Sequence, residues 1–193
     1  MLKILSLIFF NRPTLRVAKD LLGKFLVRKI GPKTISGIIT EVEAYIGPED
    51  QASHASKGKT KRTEIMFGKP GHWYVYLIYG MHHCLNIVTE RKGYPAAVLI
   101  RAVAVLPQYT NKLENVGMIF VSGPGRVCKK FEIDRTLNAK PVNKKTGLWI
   151  EDWSFKINPR LIKRGKRIGV EYAGKWAEKP WRFYVELPHD VSD

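Results

Sequence analysis

The sequence predicts a single α+β domain. Its 193 residues are the size of one domain, or of one domain with an appendage. Short runs of β-branched and aromatic residues alternate with Gly, Pro and Asn, which is typical of strands and turns, and one run has helical spacing. The hydrophobic content of 45% is ordinary for a globular protein.

The N-terminal part is expected to contribute an apolar segment and one helix. Residues 1–10 resemble a short secretion signal, but Asn-Arg-Pro follows at 11–13 without a small-residue cleavage site. We therefore interpret residues 4–10 as part of the fold. A helix is predicted over residues 13–23, because apolar side chains recur there at helical spacing and Gly23 ends the pattern.

Seven segments are rich in β-branched or aromatic residues and are predicted to be strands: residues 25–29, 36–45, 72–81, 84–88, 96–105, 148–150 and 181–185. The first two are expected to form a hairpin across Gly31-Pro32. Residues 111–115 are expected to form a loop.

The net charge indicates a polyanionic partner. With 33 Lys+Arg against 17 Asp+Glu, the formal net charge is +16, and such an excess is typical of proteins that bind nucleic acid or anionic membranes. Nucleic acid is favoured, because no apolar run approaches the roughly 20 residues needed to span a bilayer. Cys84 and Cys128 are too few for a disulfide scaffold, which indicates a reducing, cytoplasmic setting.

Two glutamates, a tyrosine and a histidine mark the end of one apolar strand. Glu41, Glu43 and Tyr45 alternate along the chain and share one face if the strand is regular. His54 follows beyond a turn that contains Gly47-Pro48. Surface glutamates on a solvated edge strand would explain this segment alone about equally well.

Arg101 is the only charged residue in an apolar run over residues 96–105. A buried guanidinium is costly unless it is paired with a carboxylate or an incoming anion. We therefore expect Arg101 to face Glu43, Glu41 or the substrate.

One strand carries an unusual number of aromatic residues. Residues 72–81 contain one Trp and three Tyr, for which core packing is the ordinary explanation. Regular alternation, however, places aromatic side chains on both faces, so both faces cannot be dry core. Tyr79 precedes Gly80 at a turn and is expected to project outwards, as does a wedge that enters a stack of bases.

A basic loop follows the glutamate strand. Residues 56–63, which include Lys59 and Arg62, interleave cations with Ser, Thr and Gly. Such a run is usually a solvated loop, but small hydroxyl residues and glycine beside cations are also typical of phosphate contacts. We expect this loop to contact a nucleic-acid backbone.

A second candidate phosphate site lies in a Gly-rich turn that is expected to open a helix over residues 122–131. Ser122, Gly123 and Arg126 belong to this turn. An ordinary helix cap explains the pattern equally well.

Carboxylate acid–base chemistry is the favoured chemistry. His54 and the run His82-His83-Cys84 lack zinc-site spacing, so no metal ligand set is predicted. Neither cysteine lies near an evident base, and no single lysine is distinguished as a Schiff-base nucleophile. Paired carboxylates are also typical of glycoside hydrolysis. The charge of +16 argues for a glycosidic bond within a nucleic acid.

Five ordered blocks of the sequence carry a resemblance to a known family. The blocks are EVEAYIGPEDQASH from Glu41, MFGKPGHWYVYLIYGMHHCLN from Met66, VLIRA from Val98, SGPGR from Ser122 and GVEYAGKWAEKPWRFYV from Gly169. Together they resemble the alkyladenine DNA glycosylase family, also called methylpurine-DNA glycosylases, from about residue 10 to residue 185. The resemblance implies a mixed domain on a curved antiparallel sheet without a helix-hairpin-helix. It also implies a monomeric enzyme without metal or cofactor.

The resemblance implies catalytic roles for three residues. Glu43 matches the general base for the attacking water, and Arg101 and the backbone carbonyl of Ile168 match the groups that hold this water. We expect Glu43 to remain ionised beside Arg101.

The resemblance also implies a base pocket and a DNA surface. The flipped base would be sandwiched and oriented by Tyr45, His54 and Tyr76, with Asn86 at the pocket mouth as a screen for purines. Tyr79 matches the wedge that fills the gap in the stack, with Met81 beside it, and Thr60 matches a contact to the DNA backbone.

The predicted function is therefore DNA repair by base excision. The enzyme would flip alkylated or deaminated purines out of double-stranded DNA and hydrolyse the N-glycosidic bond, which leaves an abasic site. The alternative is a non-catalytic protein that binds damaged DNA through Tyr79 and its cationic surface. His82 and His83 stand where the mammalian branch has aromatic residues, so the preferred lesion stays open.

Overall fold

The computed structural model of the protein describes residues 3–109 and 117–187. Its strands are β1 (Lys3–Ile4), β2 (Phe25–Ile30), β3 (Lys33–Ile46), β4 (Trp73–Ile78), β5 (His82–Val88), β6 (Ala96–Val105), β7 (Ile119–Ser122), β8 (Leu148–Asp152), β9 (Lys163–Gly165) and β10 (Arg182–Tyr184). Its α-helices are α1 (Leu7–Phe10), α2 (Thr14–Leu21) and α3 (Pro124–Lys130). Short 3-10 helices lie at His54–Lys57, Glu64–Phe67, Arg135–Leu137, Lys144–Thr146, Pro159–Leu161 and Glu171–Trp176, the last of which is kinked at Gly174.

The strands form a large open antiparallel sheet. Its main path runs β1-β8-β2-β3-β6-β5-β4, while β10 pairs with β3, β9 pairs with β10, and β7 pairs with β6. The few short helices pack against this sheet, and the predicted α+β class is confirmed.

The central strand is β3, which pairs with β2, β6 and β10. It begins in a hairpin with β2, in which Ile30 is opposite Lys33 and Gly31 has a φ of +54°. The predicted hairpin is therefore confirmed, although β3 starts three residues earlier than predicted. Its β-branched residues Ile38, Ile39 and Val42 are fully buried, which explains why this segment is a strand.

A bulge in the middle of β3 shapes the region that follows it. The register between β3 and β6 shifts between Ile39 and Val42. Bulges of this kind increase the local twist and redirect side chains. Beyond the bulge, β3 lies between β6 and β10, so that Glu43 is opposite Leu99 on one side and Arg182 on the other.

The apolar N-terminal segment belongs to the fold, as predicted. The Leu5 amide donates to the Ile150 carbonyl at 3.0 Å, and Leu5 and Phe10 are buried in the main core. Leu7 and Ile8 face outwards. The predicted helix over residues 13–23 is α2.

The strand predicted over residues 96–105 is found with the same bounds as β6, and the other predicted elements are found with shifted ends. The strand predicted over residues 72–81 ends at Ile78, and β5 begins at His82, two residues before its prediction. Strands β1, β7 and β9 were not predicted, because two to four residues are too few for an alternating pattern to show. The predicted loop at residues 111–115 lies outside the described residues.

Candidate active site

The Glu43 carboxylate is fully buried and has three polar contacts. Its Oε2 accepts a hydrogen bond from the Tyr45 hydroxyl at 2.8 Å. Its Oε1 accepts one from the backbone N–H of Ile168 at 2.9 Å and lies 3.4 Å from Nε of Arg101. The alternation expected from the sequence is therefore realised, since Glu43 and Tyr45 meet on one face of β3.

Arg101 faces both glutamates. Its Nε donates to Glu41 Oε1 at 3.3 Å, and Arg182 on β10 donates to the same oxygen through Nη1 at 3.0 Å. The expected pairing of Arg101 with a carboxylate is confirmed. Two guanidinium groups thus balance the two carboxylates, and the alternative of a solvated edge strand is excluded for Glu43.

Burial raises the pKa of Glu43 from its ordinary value. The Arg101 charge, the Ile168 amide and the Tyr45 hydroxyl oppose this shift, and the charge of Glu41 adds to it. The sequence led us to expect Arg101 to dominate, but burial is the larger effect because the side chain has no exposed surface. The raised pKa makes Glu43 a stronger base than an exposed carboxylate.

An aromatic cavity of about 230 Å³ adjoins this cluster. Tyr45, Arg101 and Ile168, which all contact Glu43, contribute to its wall. Aromatic and polar side chains contribute further to the wall, among them His54, Tyr74, Tyr76 and Asn86. The volume lies below the roughly 300–1,000 Å³ of pockets for drug-sized ligands, so the cavity suits a smaller group.

His54 is a neutral hydrogen-bonding group in the cavity wall. Burial, followed by the charges of Arg62 and Lys57, lowers its pKa to about 4. Arg62 Nη2 lies 3.3 Å from His54 Nε2, and the Tyr74 hydroxyl lies 3.0 Å from Nδ1. Because a guanidinium can only donate, Nε2 accepts and the imidazole proton lies on Nδ1.

Comparison with known proteins places this chain in a family. A family model described as methylpurine-DNA glycosylase (MPG) matches residues 8–188. The chain belongs to the methylpurine-DNA glycosylase family. It is therefore a DNA glycosylase, a hydrolase of DNA repair.

Several relatives match this glycosylase over most of their length. A protein of Methanocella arvoryzae is 48% identical over 193 residues, with 95% of this chain and 93% of that protein covered. Proteins of Myxococcus xanthus and Legionella pneumophila are 45% and 43% identical, with 95% and 92% of this chain and 91% and 92% of those proteins covered. All three carry the name "Putative 3-methyladenine DNA glycosylase".

The rest of the base pocket predicted for the glycosylase lies on neighbouring strands. Tyr76 packs edge-on against His54, with ring centroids 4.7 Å apart. Asn86 is only 3% exposed, and its Nδ2 donates to the Tyr74 carbonyl at 3.2 Å, so it lies within the wall rather than at an exposed rim. The predicted pocket residues, including Tyr45, therefore surround one cavity.

Tyr79 and Met81 occupy the tip of the hairpin between β4 and β5. They are 84% and 69% exposed, and the Met81 amide donates to the Ile78 carbonyl at 3.2 Å across the turn. Tyr79 has a φ of +52°, a conformation that costs a non-glycine residue about 1–3 kcal/mol and is concentrated at functional sites. Tyr79 also lines the cavity.

Arg62 differs from the other cations of the basic loop. Its guanidinium lies 4.9 Å from the centroid of the Tyr76 ring and also contacts His54, so its charge is directed at the cavity wall. Lys59 and Thr60 are exposed. The loop is closed by Thr63, whose hydroxyl accepts from the Thr60 amide at 2.8 Å.

The second candidate phosphate site adjoins Arg101. The Gly123 amide donates to the Arg101 carbonyl at 2.9 Å, so that this donor is already occupied within the protein. Ser122 and Arg126 are exposed, and Pro124 at the start of α3 lines the cavity. The turn thus lies at the edge of the site.

Sequence reasoning missed several contributors. Tyr74 bonds to His54, and the only available signal was that it alternates onto the face of Tyr76. Tyr172 lines the cavity while 72% exposed. The backbone amide of Ile168 donates to Glu43, a contact that was not predicted, since only the Ile168 carbonyl was expected to act, and on the water. Arg167 and Asp50 form a buried ion pair behind the site, which no local pattern revealed.

Within residues 3–109 and 117–187, no group of three or more His, Cys, Asp or Glu side chains is arranged to hold a metal ion. Among the helices of the same residues, none is long and apolar enough to cross a membrane.

Proposed function

We propose that this glycosylase rotates an alkylated or deaminated purine out of duplex DNA into the aromatic cavity and hydrolyses its N-glycosidic bond. The Glu43 carboxylate carries the proposal. It is fully buried, its pKa is raised, and its partners Tyr45, Arg101 and Ile168 line the cavity. A carboxylate of this kind is suited to accept a proton from water.

In the proposed reaction, Glu43 accepts a proton from a water molecule. The water oxygen forms a bond to C1′ of the sugar while the bond between C1′ and the purine nitrogen breaks, and that electron pair leaves with the base. Arg101 and the Ile168 carbonyl orient the water, and the Ile168 amide holds the carboxylate. The product is an intact DNA strand with an abasic site.

The cavity wall supports selection of damaged purines. Tyr45, His54 and Tyr76 offer aromatic surfaces on which a purine can stack, and a cationic alkylated purine gains additional attraction from such rings. Asn86 provides a polar group that can discriminate between purine edges. A cationic base is also a better leaving group than neutral hypoxanthine, so alkylated purines should be released faster.

We assign DNA binding to the tip of the hairpin and to the basic loops. Tyr79, with Met81 beside it, fills the gap left by the flipped nucleotide and offsets part of the few kcal/mol of unstacking. The backbone contacts are assigned to Lys59, Thr60, Arg62, Ser122 and Arg126, while Gly123 serves to shape its turn because its amide donates to the Arg101 carbonyl. We expect a monomer to act on double-stranded DNA in the cytoplasm.

The test is release of free base from duplexes that contain 3-methyladenine, 7-methylguanine or hypoxanthine. Wild-type protein should release base and leave intact abasic sites. Glu43→Gln should not, and Glu49→Gln, which removes an exposed carboxylate nearby, should match the wild type. Affinity for the duplexes should fall steeply with salt, by a slope of about −0.9 for each phosphate contacted.

Two results would contradict the proposal. Full binding of damaged duplex without base release by the wild type would favour the alternative of a non-catalytic damage-binding protein. Strand cleavage with a covalent lysine–DNA intermediate would assign the chemistry to a different nucleophile.

A further inference from the structure

Arg167 and Asp50 form a fully buried ion pair behind the candidate active site. Nη1 of Arg167 donates to Asp50 Oδ2 at 2.5 Å, and Nη2 donates to Oδ1 at 2.8 Å. Both side chains are 0% exposed, and neither is among the described residues that line the cavity. The pair therefore does not contact the substrate and can act only through other residues.

Arg167 contacts two parts of the site directly. Its Nη1 donates to the Ala44 carbonyl at 2.9 Å, between Glu43 and Tyr45 on β3. Its guanidinium lies 4.8 Å from the centroid of the Tyr45 ring and 5.0 Å from that of Trp181, so Tyr45 has the cation on one face. Ile168, the next residue along the chain, donates its amide to Glu43.

Asp50 fixes the backbone of the segment that leads from β3 to His54. Its Oδ2 accepts from the Ile46 amide at 3.2 Å and its Oδ1 accepts from the Ala52 amide at 3.1 Å. The segment therefore turns at a defined place between Tyr45 and His54. Nη2 of Arg167 also donates to the Trp176 carbonyl at 3.0 Å, which fastens the segment that carries Tyr172.

A buried ion pair is a poor source of stability. Removing two charges from water costs several kcal/mol for each ion, and apolar residues of similar size often stabilise a protein as well or better. Here the pair connects the strand of Glu43 with a segment more than 100 residues away. Its hydrogen bonds reach the Ala44 carbonyl beside Glu43 and the Trp176 carbonyl, and Ile168, the neighbour of Arg167, bonds to Glu43. This distribution favours a role in geometry over a role in stability.

We propose that Arg167 and Asp50 are positioning residues for the glycosylase reaction: together they set the Tyr45 ring, the Ile168 amide on Glu43 and the approach to His54. The inference rests on the proposed function of this site. Without the pair, the Ile168 amide no longer reaches the carboxylate reliably, and one of the groups that stabilise ionised Glu43 is lost.

The consequence is a change in the pH at which Glu43 becomes ionised. The charged or titratable groups around the carboxylate are Glu41 and Tyr45 on β3, Arg101 on β6, Arg182 on β10 and Cys84 on β5. None of these is removed by substitution at positions 50 or 167. A loss of the Ile168 hydrogen bond should therefore raise the pKa of Glu43 further, and the acidic limb of the rate profile should move to higher pH.

The experiment compares wild type with Arg167→Met, Arg167→Lys and the double variant Arg167→Met/Asp50→Asn. Each single substitution at Arg167 leaves the buried Asp50 carboxylate without one or both of its hydrogen bonds from the guanidinium, and it should lower thermal stability. The double variant removes both charges and should regain stability. Lys24→Met, which breaks the ion pair of the residue before β2 with Asp152 at the end of β8, controls for loss of an ion pair elsewhere.

The readouts are single-turnover base release from pH 5 to pH 9, DNA affinity and the Glu43 carboxyl pKa from carbon NMR. We expect the rate of the double variant to stay about 10- to 100-fold below wild type, as displacement of catalytic groups by about 1 Å can cause. DNA affinity should change by less than about threefold. The Glu43 pKa should rise in the double variant but not in Lys24→Met.

Two results would overturn the inference. One is a stable double variant with a wild-type rate and pH profile. The other is an unchanged Glu43 pKa in that variant, which is decisive even if base release is absent from the wild type. Absence of release from the wild type would instead count against the proposed function, so the two failures can be distinguished.

Discussion

Glu43→Gln should affect activity and stability in opposite directions. The introduced amide has the size of the carboxylate, so its oxygen can accept from the Ile168 N–H and its NH₂ group can donate to the Tyr45 oxygen. Arg101 keeps its contact with Glu41. The substitution therefore removes a charge and a base but keeps a hydrogen bond from position 43 to both Ile168 and Tyr45.

The expected loss of activity follows from the role of a general base. Such groups contribute about 10²- to 10⁴-fold, which corresponds to about 3–5 kcal/mol of activation free energy at about 1.4 kcal/mol for each factor of ten. Single-turnover base release measures this loss directly. A rate within about threefold of wild type would show that Glu43 is not the base.

The expected gain in stability follows from the raised pKa of Glu43. An acid whose pKa is raised by folding contributes stability below its unfolded pKa of about 4.5, and this contribution is lost as the pH rises through the folded pKa. Glu43→Gln has no titrating carboxyl at this position and therefore does not lose stability in this way. The Tm of the variant minus the Tm of wild type should increase between pH 4 and pH 8. Calorimetry at these two pH values measures the difference. A variant that becomes less stable than wild type as the pH rises would refute the argument from burial.

Three further predictions concern other parts of the molecule. Arg62→Ala should raise the pKa of His54 from about 4 towards its ordinary 6.5, because the Arg62 charge is, after burial, the second cause of the lowered pKa. NMR titration of the imidazole measures this pKa, and an unchanged value would place Arg62 away from the ring. Tyr79→Asn introduces a residue type that tolerates the φ of +52° but removes the aromatic ring. The rate of base release should fall about tenfold for a paired lesion and less for an unpaired one, and equal losses would contradict the wedge role. Leu26→Ala should lower the free energy of unfolding, measured by urea titration, by about 2–5 kcal/mol, because Leu26 is fully buried in the main core. A loss below about 1 kcal/mol would show that neighbouring core side chains fill the space left by the leucine.

Much of the fold could be predicted because it is encoded over short distances. The β2–β3 hairpin follows from two apolar runs around Gly31-Pro32, and the exposed position of Tyr79 follows from its place before Gly80 at the end of a strand. Strand alternation alone put Glu43 and Tyr45 on the same face. These features depend only on neighbouring residues.

Some predictions needed both a local pattern and a general energetic argument. Arg101 stood in an apolar strand, and the cost of a buried charge required a carboxylate partner. The sequence offered Glu41 and Glu43, and the structure has Arg101 in contact with both. The dominance of burial over Arg101 in the pKa of Glu43 was not predictable, because it depends on how completely β6, β10 and the segment around Ile168 cover the carboxylate.

By itself, the sequence determined the β-rich class, the polyanionic partner, the acidic strand and the aromatic tip, since composition and alternation are properties of neighbouring residues. Only the tertiary structure decided that the Ile168 amide binds Glu43, that Arg62 lies over Tyr76 rather than pointing away from the protein, and that Arg167 pairs with Asp50. The Ile168 and Arg167 contacts join residues more than 100 positions apart in the chain. Their geometry is set by the pairing of β3 with β6 and β10 and by the close packing of side chains, which no local pattern specifies.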